Sequence, residues 1–277
     1  GVSAAPVSAD VLVGLDLFSN KDEVDISLIV TGDGMDTTTQ NYATNIAKSR
    51  MDCVAFVSPF IGQAVGLTAS AATTAVAAWA ASLTGTNYAF ADSGWKYQYD
   101  KYNNIYRWIP LNGDMAGLCV RTDNTTDPWF SPAGYSRGAV KNVVKLAWNP
   151  TKTNRDDLYV KGINPVVSFQ GEGIVLFGDK TLLSKPSAFD RINVRRLFIV
   201  LEKAIARAAR FSLFEFNDQF TRASFVNLVE PFLRDVQGRR GIYDFRVVCD
   251  ESNNTGEVID RNEFVGDIYI KPARSIN

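Results

Sequence analysis

The 277-residue sequence contains no histidine. That absence excludes Ser-His-Asp and Cys-His nucleophile activation, imidazole acid–base catalysis and every zinc site that uses His. Charge of one sign is also missing: 29 basic residues stand against 30 acidic, a formal net charge of −1. A protein that coats nucleic acid or an anionic membrane would carry a large basic excess. Only three cysteines occur, Cys53, Cys119 and Cys249, each in an apolar run and none in a CxxC pair. They read as buried thiols from a reducing compartment, and they make neither a disulfide framework nor a metal set. No basic-then-apolar leader opens the chain, which begins with Gly1, so it reads as an internal piece of a longer protein.

What is present is apolar content: 46% hydrophobic and 12% aromatic residues, enough for real cores. From Cys53 to Ala91 there is no charged side chain. A membrane span needs about 20 continuous apolar residues. Here Pro59, Gly62 and Gly66 interrupt the run, and Leu67–Leu83 is mostly Ala, Ser and Thr, so the spacing predicts a buried helix whose small side chains allow close packing.

The first half alternates strand and helix signals. Helices are predicted over Ala9–Leu17, Thr37–Arg50 and the Ala-rich stretch, and strands over Val24–Val30, Asp52–Val57 and Asn87–Ala91. Val24, Ile26, Leu28 and Val30 share one strand face, while Asp52–Val57 is apolar on both faces, as in a central strand. The order implies an α/β layer with parallel pairs. An aromatic ribbon follows, Trp95–Trp108, with a hairpin turn expected at Asn103-Asn104. Asp114–Thr122 suggests a short helix, Asp127–Gly138 a loop and Val140–Ala147 a strand. Asn149-Pro150 breaks the pattern and marks the expected domain boundary, giving domains 1–149 and 150–277. Beyond it the pattern predicts a helix to Gly162, strands at Val166–Phe169 and Ile174–Phe177, a long helix Arg191–Arg210 capped by Asp190, and a helix Asn217–Val236 kinked or broken at Pro231. Strands Ile242–Cys249 and Phe264–Ile270 close the chain.

Four patterns carry possible chemistry. Gly134-Tyr135-Ser136-Arg137-Gly138 matches the GxSxG elbow of hydrolases, but it follows a Pro-containing loop and no His exists to take the Ser136 proton. Ser93-Gly94-Trp95-Lys96 matches SxxK, a Ser-Lys arrangement that needs no His. The loop Thr31–Asp36 lies between a strand and a helix, where α/β sheets bind ligands, yet Asp33 and Asp36 would repel a phosphate. The Trp95–Trp108 ribbon, interleaved with Lys96, Lys101 and Arg107, could stack single-stranded nucleic acid, although a packed sheet face or a protein interface suits the balanced charge better. On the long helix Val194, Leu197, Leu201, Ile205 and Ala208 form a core stripe. Opposite them Arg196, Lys203, Arg207 and Arg210 line up, with Ile199 and Val200 among them: a basic stripe with apolar inserts, suited to an acidic protein partner or to cover by the same chain.

The blocks WKYQYDKYNNIYRWIPL, AGLCVRTDN, WFSPAGYSRG, KPSAFDRINVRRLF and VIDRNEFVGDIYIKPARSIN, in order from Trp95 to Asn277, make the chain resemble the tail sheath proteins of T-even-like contractile-tail bacteriophages. The resemblance covers about Ala9 to Asn277. It implies a non-enzymatic structural subunit of a virion, made in the host bacterial cytoplasm. Its partners would be copies of itself in six-subunit rings stacked as a helical sleeve, the tail tube, and baseplate and tail terminator proteins, with no nucleic acid, membrane or cofactor. Contraction of the sleeve would drive the tube through the host envelope. The resemblance further implies a subtilisin-like layered α/β domain with a mixed sheet, followed by a smaller α+β C-terminal domain nearest the tube. Terminal arms that add strands to a neighbour's sheet would place Phe264, Ile268, Tyr269 and Ile270 at the strand-exchange region, and the basic stripe would face an acidic tube.

Overall fold

The computed structural model describes residues 7–34 and 36–276. The chain divides into two compact units, Gly1–Arg196 and Leu197–Asn277. In chain order the elements are α1 Ser8–Asp16, β1 Leu28–Val30, α2 Thr37–Arg50, β2 Val54–Val57, α3 Ala69–Ala81, β3 Ala89–Asp92, β4 Trp95–Asp100, β5 Ile105–Pro110, α4 Asn112–Thr125, β6 Lys145–Leu146, α5 Lys152–Val160, β7 Ile163–Asn164, β8 Val166–Phe169, β9 Gly173–Leu176, α6 Ile192–Ala209, α7 Gln219–Gly238, β10 Ile242–Val248, α8 Gly256–Asp260 and β11 Asp267–Pro272.

The first unit is built on a parallel sheet in the order β1-β2-β3-β7. Every residue of β2 and β3 is buried, as two-sided cover requires of central parallel strands. α4 packs across β1, β2 and β3, and α2 lies against β2 and β3. Local sequence sets the helix ends: the Asp36 carboxylate accepts from Thr39 N at 2.8 Å to start α2, and Met51 closes it in the left-handed region at φ 61°. Thr151 and Asn154 form a reciprocal capping box on α5. The Ala-rich α3 buries Ala72, Val76 and Trp79 in a core shared with Val57, Trp95, Trp148, Leu158 and Ile163. No described helix is long and apolar enough to cross a membrane.

Two smaller sheets complete the unit, β5-β4-β6 and the hairpin β8-β9, both antiparallel. The β4–β5 turn carries Asn104 at φ 52°, a left-handed position that Asn tolerates, so the hairpin forms where the sequence placed it.

Three expectations fail for physical reasons. The strand predicted over Val24–Val30 reduces to β1; Val24, Ile26 and Leu28 are half-buried as expected, but Ile29 is buried and Val30 exposed at its end. The Val140–Ala147 strand reduces to β6 because Asn142 turns left-handed at φ 52°. The Asn149-Pro150 break lies inside the first unit, since β7 follows it and pairs with β3. Pro150 directly precedes Thr151, the N-cap of α5.

In the second unit α7 packs on β10, which pairs antiparallel with β11. α7 starts at Asp218, whose side chain accepts from Thr221 N at 2.8 Å. Phe225, Val229, Leu233 and Val236 form its buried stripe. That stripe runs past Pro231 on the exposed side, so packing carries the helix through the expected break. Asn254, 2% exposed, ties the β10–β11 connection together: its Nδ2 donates to Val265 O at 2.7 Å and its Oδ1 accepts from Val265 N at 2.9 Å.

Candidate functional site

The carboxyl end of the parallel sheet is where an α/β enzyme would bind its substrate. Here Thr31, Ser58, Asp92 and Asn164 stand at or just beyond the ends of β1, β2, β3 and β7, and each is tied to the protein's own groups. Ser58 Oγ donates to Asp92 Oδ2 at 2.6 Å and accepts from Asn112 N at 2.9 Å, while Gly94 N donates to Asp92 Oδ1 at 2.9 Å. Asn112 Nδ2 donates to Gly32 O at 2.5 Å, and Gln40 Nε2 to Ser58 O at 2.8 Å. Asn164 Nδ2 donates to Ala91 O and Lys180 O at 3.0 and 2.8 Å. Asp92 is fully buried, and burial pushes its carboxyl up to about 8. This end of the sheet is closed by internal hydrogen bonds. In the adjoining 31–36 loop, where Met35 is outside the described residues, Gly34 sits at φ 68° and a Cβ there would collide with the Gln40 side chain.

Neither serine motif assembles a nucleophile. Ser93 is 3% exposed, its Oγ accepts from Val166 N at 3.0 Å, and Lys96 donates instead to Asp114 Oδ1 at 2.7 Å. Ser136 lies exposed in a turn whose glycines have a structural task. Gly134 N donates to Leu176 O at 2.9 Å, and Leu176 N donates to Gly138 O at 2.8 Å, so the loop extends the edge of β9. A Cβ on Gly138 would lie 2.7–2.8 Å from backbone atoms of Gly134 and Leu176. The GxSxG match thus reflects close backbone approach. Burial raises the thiols, Cys53 to about 12 and Cys119 to about 11, leaving both unreactive near neutral pH.

The aromatic ribbon is stacked on itself. Tyr97 meets Tyr106 and Trp108 with ring centroids 5.6 and 4.9 Å apart, Tyr99 meets Tyr106 at 5.1 Å, and Lys145 Nζ lies over Tyr97 and Trp108. Trp95 is buried and donates through Nε1 to Pro59 O at 2.7 Å. Tyr99, Tyr102 and Tyr106 keep exposed edges, while Trp95 lies in the core.

The basic stripe is shorter than the sequence suggested. Arg196 is 7% exposed and binds Asp123 through Nη2, at 2.7 and 2.5 Å to the two carboxylate oxygens, and Ile199 is 6% exposed. Both are interior residues and cannot present themselves to a partner. Val200 and Lys203 are half-buried, Arg207 and Arg210 are exposed, and Arg210 falls outside α6, in a 3-10 turn spanning Arg210–Ser212. At the other candidate surface, Ile268, Tyr269 and Ile270 lie in β11, with Tyr269 exposed and its neighbours half-buried. Phe264 precedes the strand and packs edge-on against Phe225 at 5.7 Å. β10 is the one strand paired with β11 among the described residues.

Sequence patterning singled out neither Asp92 nor the exposed segment 211–220. Asp92 carries no motif, and the exposure of the apolar residues after α6 is not marked by any sequence pattern.

Residues 8–182 match the family described as the phage tail sheath protein central domain, and residues 184–277 match the phage tail sheath C-terminal domain. The tail sheath protein of Vibrio phage KVP40 is 47% identical over 297 aligned positions, covering 100% of this chain and 44% of the relative. That of Enterobacteria phage T4 is 45% identical, covering 99% and 44%. The chain therefore spans less than half the length of these relatives. Among solved structures, the contracted helical sheath of the anti-feeding prophage superposes with a TM-score of 0.78 at 19% identity, covering 100% of this chain and 74% of that one. The contracted sheath complex of the PVC extracellular contractile injection system gives 0.75 at 24%, covering 91% and 68%. These likenesses show a mixed α/β sheath-protein fold, and with both family domains present in order the chain belongs to the phage tail sheath proteins.

Proposed function

We propose that this chain is the conserved part of a non-enzymatic, structural subunit of a contractile phage tail, which polymerises around the tail tube and contracts to drive it through the host envelope. The observation that carries the reading is the family match over both domains, together with a sheet end closed by Ser58, Asp92 and Asn112 where an enzyme would hold substrate. The protein is then a virion component whose partners are further copies, the tube, the baseplate and the terminator. The parallel β1-β2-β3-β7 layer supports a fold of subtilisin type, carried without catalytic groups. The second unit is the tube-proximal one, with Val200, Lys203 and Arg207 on the tube-facing side of α6. β11, through Ile268, Tyr269 and Ile270, takes up a neighbour's strand, because one of its edges has no described partner.

Electron microscopy of the longer protein that contains this chain tests the reading, with striated tubes expected and amorphous or purely monomeric material refuting it. When tube protein is added, the Lys203→Glu/Arg207→Glu variant is expected to form sleeves without a docked tube. Normal docking by that variant would remove the tube assignment of α6.

A further inference from the structure

The β8–β9 hairpin is composed to pair with strands. Val166-Val167-Ser168-Phe169 and Gly173-Ile174-Val175-Leu176 hold no charged residue and no proline, and their Val, Ile and Phe favour the extended chain. Sheet edges are ordinarily kept from foreign strands by charge, by proline or by cover from the same chain. β5, the outer strand of the β5-β4-β6 sheet, carries Arg107 and ends on Pro110. β8 and β9 have neither device, so their edges depend on cover.

Both edges are covered by segments remote in the sequence. Along β9, the 134–140 loop takes Leu176 and also Ile174, whose carbonyl accepts from Val140 N at 2.9 Å. Along β8, Val166 N donates to Ser93 Oγ at 3.0 Å. Two residues on, and therefore on the same edge, Ser168 N donates to Asn149 Oδ1 at 2.8 Å while Asn149 Nδ2 donates to Ser168 O at 3.1 Å. This reciprocal pair is the one that two opposed residues exchange in an antiparallel ladder. The Asn149 amide, with its acceptor and its donor, thus stands where a residue of an added strand would stand. It is held there from both sides. Trp148, 8% exposed, donates through Nε1 to Ser93 O at 3.0 Å, which joins the two covering residues, and buried Pro150 leads into Thr151, the N-cap of α5. Asn149 and Ser168 are themselves exposed, so among the described residues no further layer lies over this stretch of edge.

We propose that Asn149 bars strand addition at β8, so that a strand exchanged between neighbouring copies of this chain is taken by β11 and not by the hairpin. Asn149 acts by exclusion: it fixes which edge a partner's strand can use by filling the other one. The inference rests on reading β11 as the strand acceptor and adds to it the edge that is withheld.

The test uses dispersed subunits of the longer protein carrying Asn149→Ala or Asn149→Asp, followed by sedimentation velocity and hydrogen–deuterium exchange over a range of concentrations. At the lowest concentration the 166–170 amides of Asn149→Ala are expected to exchange roughly tenfold faster than in the wild type, as the loss of ordinary hydrogen bonds implies. As concentration rises, that variant is expected to sediment as dimers and larger species while the same amides slow again. Asn149→Asp leaves an acceptor for Ser168 N and sets a charge on the edge, so it is expected to sediment as the wild type does throughout. Asn149→Ala that sediments like the wild type at every concentration overturns the proposal. So does association that leaves 166–170 exchanging fast, or equal association by both variants. Loss of protection in β2 and β3 would show that Asn149 serves folding instead, and overturns it as well. Failure of the β11 reading is seen separately, as wild-type tubes in which the β11 amides gain no protection.

Discussion

In the first unit a carboxyl group is fully buried and the carboxyl ends of the four parallel strands meet side chains of the same chain; in the second, five large apolar side chains within ten residues stand in solvent. The first unit spends its polar groups on itself. Ser58, Asp92, Asn112 and Asn164 stitch the sheet end shut, and the Tyr97–Trp108 ribbon stacks on its own rings. The second has a two-stranded sheet, one packed helix face and an aromatic segment with no core to enter. Two-stranded sheets are marginal alone and gain from packing or added strands. The contrast separates a sheet end closed by the chain's own side chains from a segment whose large apolar side chains stand exposed.

The contrast can be broken by substitution, and the largest effect is expected at Asp92. Its folded-state value of about 8 lies above the usual 3.8, so the folded protein holds a proton that the unfolded chain releases. The stability this provides is complete below pH 4 and is lost as the pH rises through 8. Each pH unit in that window removes about 1.4 kcal/mol. Nearby Asp114 adds to the upward push, and it is itself engaged by Lys96. Asp92→Asn is therefore expected to flatten this decline, with denaturant unfolding at pH 5 and pH 8.5 as the check. An equal decline in both proteins would place the proton elsewhere.

Arg196 ranks next. Removing one partner of a buried ion pair costs about 3–5 kcal/mol, and Asp123, one-third exposed, sets the lower end. Arg196→Ala is thus expected to lower stability by about 3 kcal/mol in urea unfolding. A loss under 1 kcal/mol would return Arg196 to the surface stripe. At the aromatic segment the folding effect is expected to be smallest. Phe216→Ser stays within about 0.5 kcal/mol, and Phe214→Gly, which relieves the positive φ, changes stability by less than about 1 kcal/mol in the stabilising direction. Thermal melts that drop sharply for either would show that the segment belongs to a core.

Much of the fold was legible in the sequence, because its signals are local. The run Thr37–Arg50 is a helix to the residue, the two-sided apolar run at Val54–Val57 is the central strand, and Asn103-Asn104 turns the hairpin. Local signals failed where burial decides. Alternation over Val24–Leu28 matches the half-buried face, but it could not show that the strand's last residues bury Ile29 and expose Val30. A basic stripe at helical spacing could not reveal that Arg196 reaches back to Asp123, 73 positions earlier in the chain. The closed sheet end was invisible for the same reason: Ser58, Asp92 and Asn112 converge only once the sheet forms. The exposure of the 211–220 phenylalanines leaves no mark in the sequence, because composition cannot count the neighbours they lack.

Hydrogen–deuterium exchange of the longer protein, compared between dispersed subunits and assembled sheath, tests the contrast between the two units most directly. Amides of β1, β2 and β3 are expected to be strongly protected in both states, while 211–220 and the β11 edge gain protection only on assembly. New protection at the sheet end around Asp92 with none at 211–220 would contradict it.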